Sequence, residues 1–177
     1  MKTYRLTPHP ASPPDQVTGV VVDVWGDPQE LLLAFRIEGA AALLLPESRP
    51  PARKDDLWTT TCFELFLRAA DSEDYFEFNL SPSSEWAAYR FTGYREGMAR
   101  LDLQVEPYVD RGTPADDFII EADIDLSDAP QRALRIGLSA VIEEKDGTKS
   151  YWALRHPPGD KPDFHHPDCF ALELPPA

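Results

Sequence analysis

The sequence of 177 residues contains few cysteines, few basic residues and no long apolar run. Its two cysteines, Cys62 and Cys169, are too few for a disulfide framework, and we expect both to be buried free thiols. Lys and Arg number 17 against 31 Asp and Glu, which leaves a formal net charge of −14. This acidity argues against binding to nucleic acid or anionic membrane surfaces. It either favours neutral or cationic partners or serves solubility alone.

Targeting and cofactor motifs are also missing from the sequence. No apolar run follows Lys2, which argues against a secretory signal peptide, and no stretch is long enough to span a bilayer. No phosphate-binding loop or nucleophile motif is present, so we expect no nucleotide cofactor. The sequence therefore predicts a cytoplasmic protein.

What the chain has instead is a succession of short strand-like runs. Eighteen prolines against nine glycines indicate rigid loops between them. Only 126–133, LSDAPQRA, is compatible with a helical turn, and the DG of EEKDGTKSYW predicts a hairpin that pairs residues near 136–144 with residues near 150–155. We predict an all-β protein with one domain over 1–177, a two-sheet antiparallel β-sandwich of jelly-roll or immunoglobulin-like type with about nine or ten strands.

The middle strands predict one unusually polar face. Alternation directs an apolar set toward the core: Phe63, Leu65, Leu67, Phe76, Phe78, Leu80, Phe118, Ile120, Ile124, Ile136, Leu138, Ala140 and Ile142. The opposite sides collect Glu64, Glu77, Asn79, Glu121, Asp123, Asp125, Arg135 and Ser139. Two interpretations are open. The face is an ordinary solvated sheet surface, or it binds a cation or the hydroxyls of a sugar.

A sugar site also needs aromatic rings on which the apolar C–H faces of the ligand stack. The candidates for such rings are Trp58, Trp86, Trp152, Tyr89, Tyr94 and Tyr151. Trp58 is the best of them, because its position at the edge of a loop is hard to explain as core packing. At about 3.3 Å per residue, an extended chain would place Trp58 about 20 Å from Glu64. The two residues can share a ligand only if the loop before the strand folds back over the sheet.

Four segments together resemble the DOMON-like proteins related to family 9 carbohydrate-binding modules: LWTTTCFELFL, YFEFNLSPSSEWAAYRF, GLSAVIEEKDGTKSYWALRHP and PDFHHPDCFALEL. The resemblance covers about residues 20–174. It implies a two-sheet sandwich that holds the end of a glycan between two tryptophans. Trp58 and Trp152 match the two stacking positions, and Glu64 matches the glutamate that accepts hydrogen bonds from hydroxyls. The arginine usual on the next strand is replaced by Glu77 and Asn79 in YFEFNLS.

These arguments predict a non-catalytic binding module for a carbohydrate or a similar polyhydroxylated small ligand. The predicted ligand-binding residues are Trp58, Glu64, Asn79, Arg90, Trp152 and His156. Because family 9 modules hold structural calcium, the acidic loop AADSEDY is a candidate calcium site, with Asp71, Glu73 and Asp74 as ligands. The oligomeric state is not predicted.

Four alternatives remain open at this stage. The cluster His156, Asp163, His165, His166, Asp168 and Cys169 has residue types that bind zinc. Some DOMON relatives hold haem, although Met98 lies in a charged turn that is poor for an axial ligand. Paired carboxylates such as Glu64 with Glu77, or Glu121 with Asp123, favour a glycoside-acting enzyme, metal-dependent or not. The polar face also suits a protein-interaction sandwich.

Overall fold

Nearly every regular element of this protein is a β-strand. The computed structural model describes residues 1–27, 29–112, 117–127, 129 and 133–174. Within them the strands are β1 (Lys2–Pro8), β2 (Gly19–Gly26), β3 (Glu30–Glu38), β4 (Ala52–Arg53), β5 (Cys62–Ala69), β6 (Tyr75–Leu80), β7 (Glu85–Phe91), β8 (Ala99–Arg100), β9 (Tyr108–Arg111), β10 (Asp117–Asp125), β11 (Leu134–Glu143), β12 (Lys149–Ala153) and β13 (Leu172–Leu174). Three single-turn 3-10 helices cover Ala40–Ala42, Leu57–Thr59 and Pro167–Cys169.

The strands form one curled, mixed sheet. Its hydrogen-bonded order is β4-β7-β6-β5-β11-β12-β1-β2-β3-β10-β9, with β13 paired to β11 and β8 paired to β7. β1 joins the two halves, since Lys2 to Leu6 pair with β2 while Thr7 and Pro8 pair with β12. The pairing of β4 with β7 is parallel, so the prediction of a wholly antiparallel arrangement is wrong at that edge.

The main core lies between the two halves of the curled sheet. Phe63, Leu65 and Leu67 of β5 are fully buried there, and the Phe63 ring lies 4.9 Å from that of Phe35 on β3. The other residues predicted to face inward are also buried, except that Phe76 packs half-buried against the cluster. Each fully buried side chain of this size contributes about 1.5–3 kcal/mol relative to exposure. The alternation in the sequence therefore predicts the core side of these strands correctly.

The hairpin predicted at the DG pair is confirmed. β11 pairs antiparallel with β12 from Ser139↔Ala153 to Glu143↔Lys149, and Gly147 has the positive φ (93°) that the turn requires. Cys62 and Cys169 are buried free thiols, as expected. The helical turn predicted over 126–133 includes residues 128 and 130–132, which lie outside the described residues. Among the described residues, no helix is both long and apolar enough to cross a membrane.

The opposite face of β5, β6, β7, β11 and β12 is covered rather than solvated. A second apolar cluster forms on it: Leu57, Cys62, Phe66, Tyr75, Ala87, Tyr89, Phe91, Val141, Ala153, Phe164 and Phe170. The last part of the chain supplies Phe164 and Phe170 to this cluster. The solvated interpretation is therefore wrong for Glu64, Glu77, Asn79 and Ser139, which are all buried. Glu121 of β10 is exposed, on the other half of the sheet.

Gly137 of β11 allows the covering segment to approach the sheet closely. A Cβ added at Gly137 would lie 3.2 Å from the carbonyl oxygen of Cys169 and 3.3 Å from Cβ of Phe66. The segment is also closed on itself, because Sγ of Cys169 donates a hydrogen bond to the carbonyl oxygen of Asp163. This close packing places residues 162–165 beside the carboxylates of the face.

Candidate functional site

A cavity of about 400 Å³ lies between this face and the segments that cover it. The volume is within the range of small-molecule sites, about 300–1,000 Å³. Its walls combine aromatic rings with a few charged groups. The lining residues are Trp58, Glu64, Glu77, Tyr89, Phe91, Arg95, Met98, Val141, Tyr151, Pro162, Phe164 and His165.

Two carboxylates project into this cavity from neighbouring strands. Glu64 of β5 pairs with Asn79 of β6, and Glu77 lies two residues before Asn79 on the same face. Glu64 is 3% exposed and Glu77 is 5% exposed. Ser139 Oγ donates a hydrogen bond to Glu64 Oε2 at 2.7 Å, and Asn79 Nδ2 donates one to Glu77 Oε1 at 2.7 Å. Each carboxylate is therefore held by one neighbour through one of its oxygens.

The surroundings of the pair favour the protonated carboxyl. Burial raises the pKa of Glu64, and the negative charge of Glu77 raises it further against the opposing hydrogen bond from Ser139. Burial also raises the pKa of Glu77, although the hydrogen bond from Asn79 and the charge of Arg95 oppose the rise. Two neighbouring carboxyls in a low-dielectric site do not both ionise without a large cost in free energy. The pair therefore retains protons at a pH where exposed carboxyls have lost them.

Trp58 forms the exposed rim of the cavity. Its side chain is 53% exposed, and it lies on the 3-10 turn Leu57–Thr59. The turn starts at Asp56, which adopts a left-handed conformation with φ of 62°, and it is anchored by the buried side chain of Leu57. Lys149 Nζ also donates to the carbonyl oxygen of Thr59 at 2.6 Å. The loop before β5 thus folds back over the sheet, and Trp58 and Glu64 line one cavity.

Aromatic side chains supply much of the remaining wall. Tyr89 and Phe91 come from β7 and Tyr151 from β12, and the covering segment contributes Phe164. The Tyr89 hydroxyl donates to Asp55 Oδ1 at 2.8 Å. Because Asp55 immediately precedes the start of the Trp58 turn, this bond connects the wall to the rim.

Arg95 and His165 complete the polar part of the cavity. Arg95 Nη2 lies 2.7 Å and its Nε lies 3.2 Å from Asp163 Oδ1, and the Tyr94 hydroxyl donates to the other oxygen of Asp163. The Tyr75 hydroxyl is hydrogen-bonded to His165 Nδ1 at 2.7 Å. Burial and the nearby charge of Arg95 lower the pKa of His165 to about 4. His165 is therefore neutral near pH 7.

The structure corrects the position of Trp152. Its side chain is 2% exposed and packs in the main core, where its Nε1 donates to Ser150 Oγ at 2.9 Å. The register pairs Ala140 with Trp152 and Val141 with Tyr151. Successive strand residues point to opposite faces, so Tyr151 faces the cavity and Trp152 does not. The predicted pair of facing tryptophans is absent.

The three supporting residues also lie elsewhere than predicted. Asn79 is buried behind Glu77 and holds it by a hydrogen bond. Arg90 is exposed and forms an ion pair with Asp74 at 2.6 Å. His156 packs against the His9 ring with centroids 5.0 Å apart, and its Nε2 lies 2.9 Å from the carbonyl oxygen of Thr7. None of the three is among the residues that line the cavity.

The sequence patterns did not indicate Arg95 or Phe164 as site residues, and they placed His165 only in a candidate metal-binding cluster. Tyr151 was one of six candidate stacking rings, and the predicted hairpin with strand alternation distinguishes it, because they place it on the same face as Glu64. Arg95 and His165 come from a turn and from an irregular segment. These segments carry no periodic signal from which the direction of a side chain could be predicted.

The described residues do not provide the metal sites that were considered. No group of three His, Cys, Asp or Glu side chains able to hold a metal ion is found among them. In the acidic loop, the carboxylate of Asp74 accepts a hydrogen bond from the guanidinium of Arg90, and calcium binding by Asp71, Glu73 and Asp74 stays a prediction. In the histidine cluster, His165 is bonded to Tyr75 and His166 Nδ1 accepts from the backbone of Asp168.

Comparison with known proteins identifies the fold. No protein-family model matches the chain, and no curated protein sequence matches it. A solved structure described as a "putative carbohydrate-binding protein" from Bacteroides uniformis aligns with a TM-score of 0.67 and 12% identity, covering 95% of this chain and 83% of its own.

Two further structures show a family 9 carbohydrate-binding module from Caldicellulosiruptor kristjanssonii. The complex with glucose aligns with a TM-score of 0.50 and 13% identity, and covers 84% of this chain and 72% of its own. The complex with cellotriose has a TM-score of 0.52 and 12% identity, over 84% and 71% of the two chains. At such low identity, these alignments establish a shared fold. The resemblance to family 9 modules is thereby confirmed for the fold, while the relation to DOMON proteins stays a prediction.

Proposed function

We propose that this protein is a non-catalytic module that binds a sugar or a similar polyhydroxylated small ligand in the cavity beneath Trp58. The fold shared with carbohydrate-binding modules supports this function. We also infer that the two halves of the curled sheet act as the two layers of a sandwich, because a single core lies between them. The ligand site is then on the outer face of one layer.

The observation that carries the proposal is the meeting of an exposed indole with buried carboxylates in one cavity. A pyranose ring presents C–H faces that pack on aromatic rings and hydroxyls that donate to carboxylates. Trp58 offers a ring at the entrance, and Glu64 and Glu77 offer acceptors inside. Tyr151 and Phe164 replace the second tryptophan as apolar wall. The proposal therefore rests on one tryptophan, not on a pair.

Isothermal titration against a panel of mono- and disaccharides that includes glucose tests the proposal. Trp58→Ala should lower the affinity for any sugar that binds by about tenfold or more, since loss of one stacked ring costs about 0.5–1.5 kcal/mol beyond its buried area. Tyr108→Ala is the matched control, because Tyr108 is an exposed aromatic of β9 outside the cavity. Flat titrations across the panel would refute sugar binding and favour a protein partner for this face.

One observation favours a second candidate, hydrolysis of a glycoside. Buried carboxyls with raised pKa values are typical of general acids. Glu64 and Glu77 project from adjacent strands of one face, however, and not from opposite walls, so we place binding first. A panel of aryl glycosides tests this candidate. If the wild type hydrolyses one of these glycosides and Glu64→Gln does not, the protein is an enzyme and the proposal of a binding module is wrong.

A further inference from the structure

The charges that line the cavity are unequal in sign. The titratable residues on its wall are Glu64, Glu77, Tyr89, Arg95, Tyr151 and His165. Behind them, Tyr75 contacts His165 and Asp163 contacts Arg95. With the carboxyls ionised, this group holds three negative charges and one positive charge. Once a cationic ligand takes the place of the protons on Glu64 and Glu77, the site therefore carries an excess of negative charge that compensates the ligand.

The one cation of the group is already neutralised. Arg95 donates to Asp163 through both Nη2 and Nε, and Tyr94 donates to the same carboxylate. His165 adds no charge near pH 7, because burial lowers its pKa to about 4. Among the described residues, neither Glu64 nor Glu77 has an ion pair as short as that of Asp163 with Arg95. The nearest basic atom is Nε2 of His165, 3.7 Å from Glu77 Oε2.

Each of the two carboxylates also has capacity for another donor. Ser139 occupies Glu64 Oε2 and Asn79 occupies Glu77 Oε1. Among the described residues, no hydrogen bond reaches the other oxygen of either group. A buried carboxylate is stable when it is paired with a cation and hydrogen-bonded. The protein supplies one hydrogen bond to each carboxylate. A bound ligand can supply the cation.

The aromatic wall also suits a cation. The faces of Trp, Tyr and Phe rings attract ammonium groups, most strongly where water is excluded. Trp58, Tyr89, Phe91, Tyr151 and Phe164 all line the cavity that holds the two carboxylates. A neutral sugar would use these rings for stacking and would leave the carboxyl pair protonated.

Resting on the proposed function, we infer that the ligand of this cavity is a sugar that carries a protonated amine, whose ammonium group pairs with Glu64 and Glu77. The ammonium displaces the proton that the carboxyl pair holds in the empty site. Binding therefore releases protons into the solvent. Anionic sugars are disfavoured by the same excess of negative charge.

The experiment compares glucosamine, N-acetylglucosamine and glucose by isothermal titration near pH 7. The three probes share one ring, and only glucosamine carries a cationic amine. Glucosamine should bind at least about tenfold more tightly than the other two, a difference of about 1.4 kcal/mol. Titration of the wild type in two buffers of different ionisation enthalpy should show proton release with glucosamine alone. This second measurement uses only the wild-type protein, so it does not depend on whether a variant folds.

Variants assign the preference to the carboxylates. Glu64→Gln and Glu77→Gln should each reduce the preference for glucosamine over glucose by about fivefold or more. Glu121→Gln, on the exposed side of β10, is the matched control and should leave all three affinities unchanged.

The possible results separate the two proposals. Equal affinity for glucosamine and glucose, or no proton release, would overturn the amine inference and leave sugar binding intact. No response to any of the three sugars or to ethanolamine would remove both proposals. If ethanolamine binds and none of the three sugars does, the cavity binds an ammonium group and the proposed sugar-binding function is wrong.

Discussion

Trp58 and Glu64 line one cavity, although an extended chain would separate them by about 20 Å. The turn Leu57–Thr59 reverses the chain before β5 begins, and the buried Leu57 fixes that turn against the sheet. The indole is thereby brought over the carboxylate that follows it by six positions. This relationship brings an exposed aromatic ring and a buried carboxylate into one cavity.

The first prediction separates the roles of two tryptophans. Trp152→Ala should lower the free energy of unfolding by about 3–5 kcal/mol, because it removes a large side chain from the main core. Trp58→Ala should change it by less than about 1 kcal/mol, because more than half of that side chain is already exposed. Urea denaturation followed by circular dichroism measures both values. Similar losses for the two variants would contradict these assignments.

The second prediction concerns pH. Burial raises the pKa of Glu64 and of Glu77 in the folded protein, whereas a glutamate in the unfolded chain has a pKa of about 4.3. Above the unfolded pKa the folded state therefore holds more protons than the unfolded state, and the free energy of unfolding falls as pH rises toward the folded pKa. The stabilising contribution of the two carboxyls is complete below the unfolded pKa and is lost as pH rises, by about 1.4 kcal/mol for each tenfold difference between the acid dissociation constants of the folded and unfolded states.

Denaturation at about pH 5 and at about pH 8 measures this loss. Glu64→Gln and Glu77→Gln should each show a smaller decrease in stability between the two conditions than the wild type. Glu121→Gln should match the wild type, because Glu121 is exposed on β10. A wild-type stability that rises over this interval, with unchanged slopes in the variants, would contradict the prediction.

The third prediction tests the neutralisation of Arg95. In Asp163→Asn the guanidinium loses its ion pair and stands as an uncompensated cation on the cavity wall. We expect glucosamine affinity to fall by about fivefold or more while glucose affinity changes less, because only the charged ligand is repelled. Titration of both sugars measures the difference.

The control for this variant is Asp74→Asn. Asp74 forms a similar ion pair with Arg90, and neither residue lines the cavity. Exposed pairs of this kind contribute about 0–1 kcal/mol, so the control should alter neither ligand affinity nor stability by more than that. An equal loss of glucosamine affinity in both variants would show that Asp163 acts through general stability.

The fourth prediction concerns the turn that carries Trp58. Asp56 has φ of 62°, a conformation that glycine and asparagine adopt readily and β-branched residues do not. Asp56→Val should cost about 1–2 kcal/mol of stability and weaken sugar binding by displacing the indole. Asp56→Gly and Asp56→Asn are the matched controls and should retain binding. Equal affinities for all three variants would show that the turn is not needed to place Trp58.

Part of this architecture follows from local patterns. The core side of β5, the free cysteines and the hairpin between β11 and β12 were predicted from alternation, cysteine number and one DG pair. The same alternation along β12 directs Tyr151 and Trp152 to opposite faces of the sheet. The expectation that Trp152 faces the cavity was wrong. It was based on the resemblance to family 9 modules, whereas the register of β12 directs Trp152 into the main core.

The remainder of the site depends on contacts between distant parts of the chain. Arg95 reaches the cavity through Asp163, 68 positions later, and His165 reaches it through Tyr75, 90 positions earlier. The polar face is buried because the segment with Phe164 and Phe170 packs on it. No local pattern reports such packing, since it depends on how the whole sheet curls.

The sequence by itself determined the class of the fold and the inward-facing residues of the strands, because side-chain direction along a strand is a local property with a period of two. Only the tertiary structure decided that Glu64 and Glu77 share a cavity with Trp58, Arg95 and Tyr151. The physical reason is that burial, and with it the raised pKa of both carboxyls, arises from loops folded over the sheet.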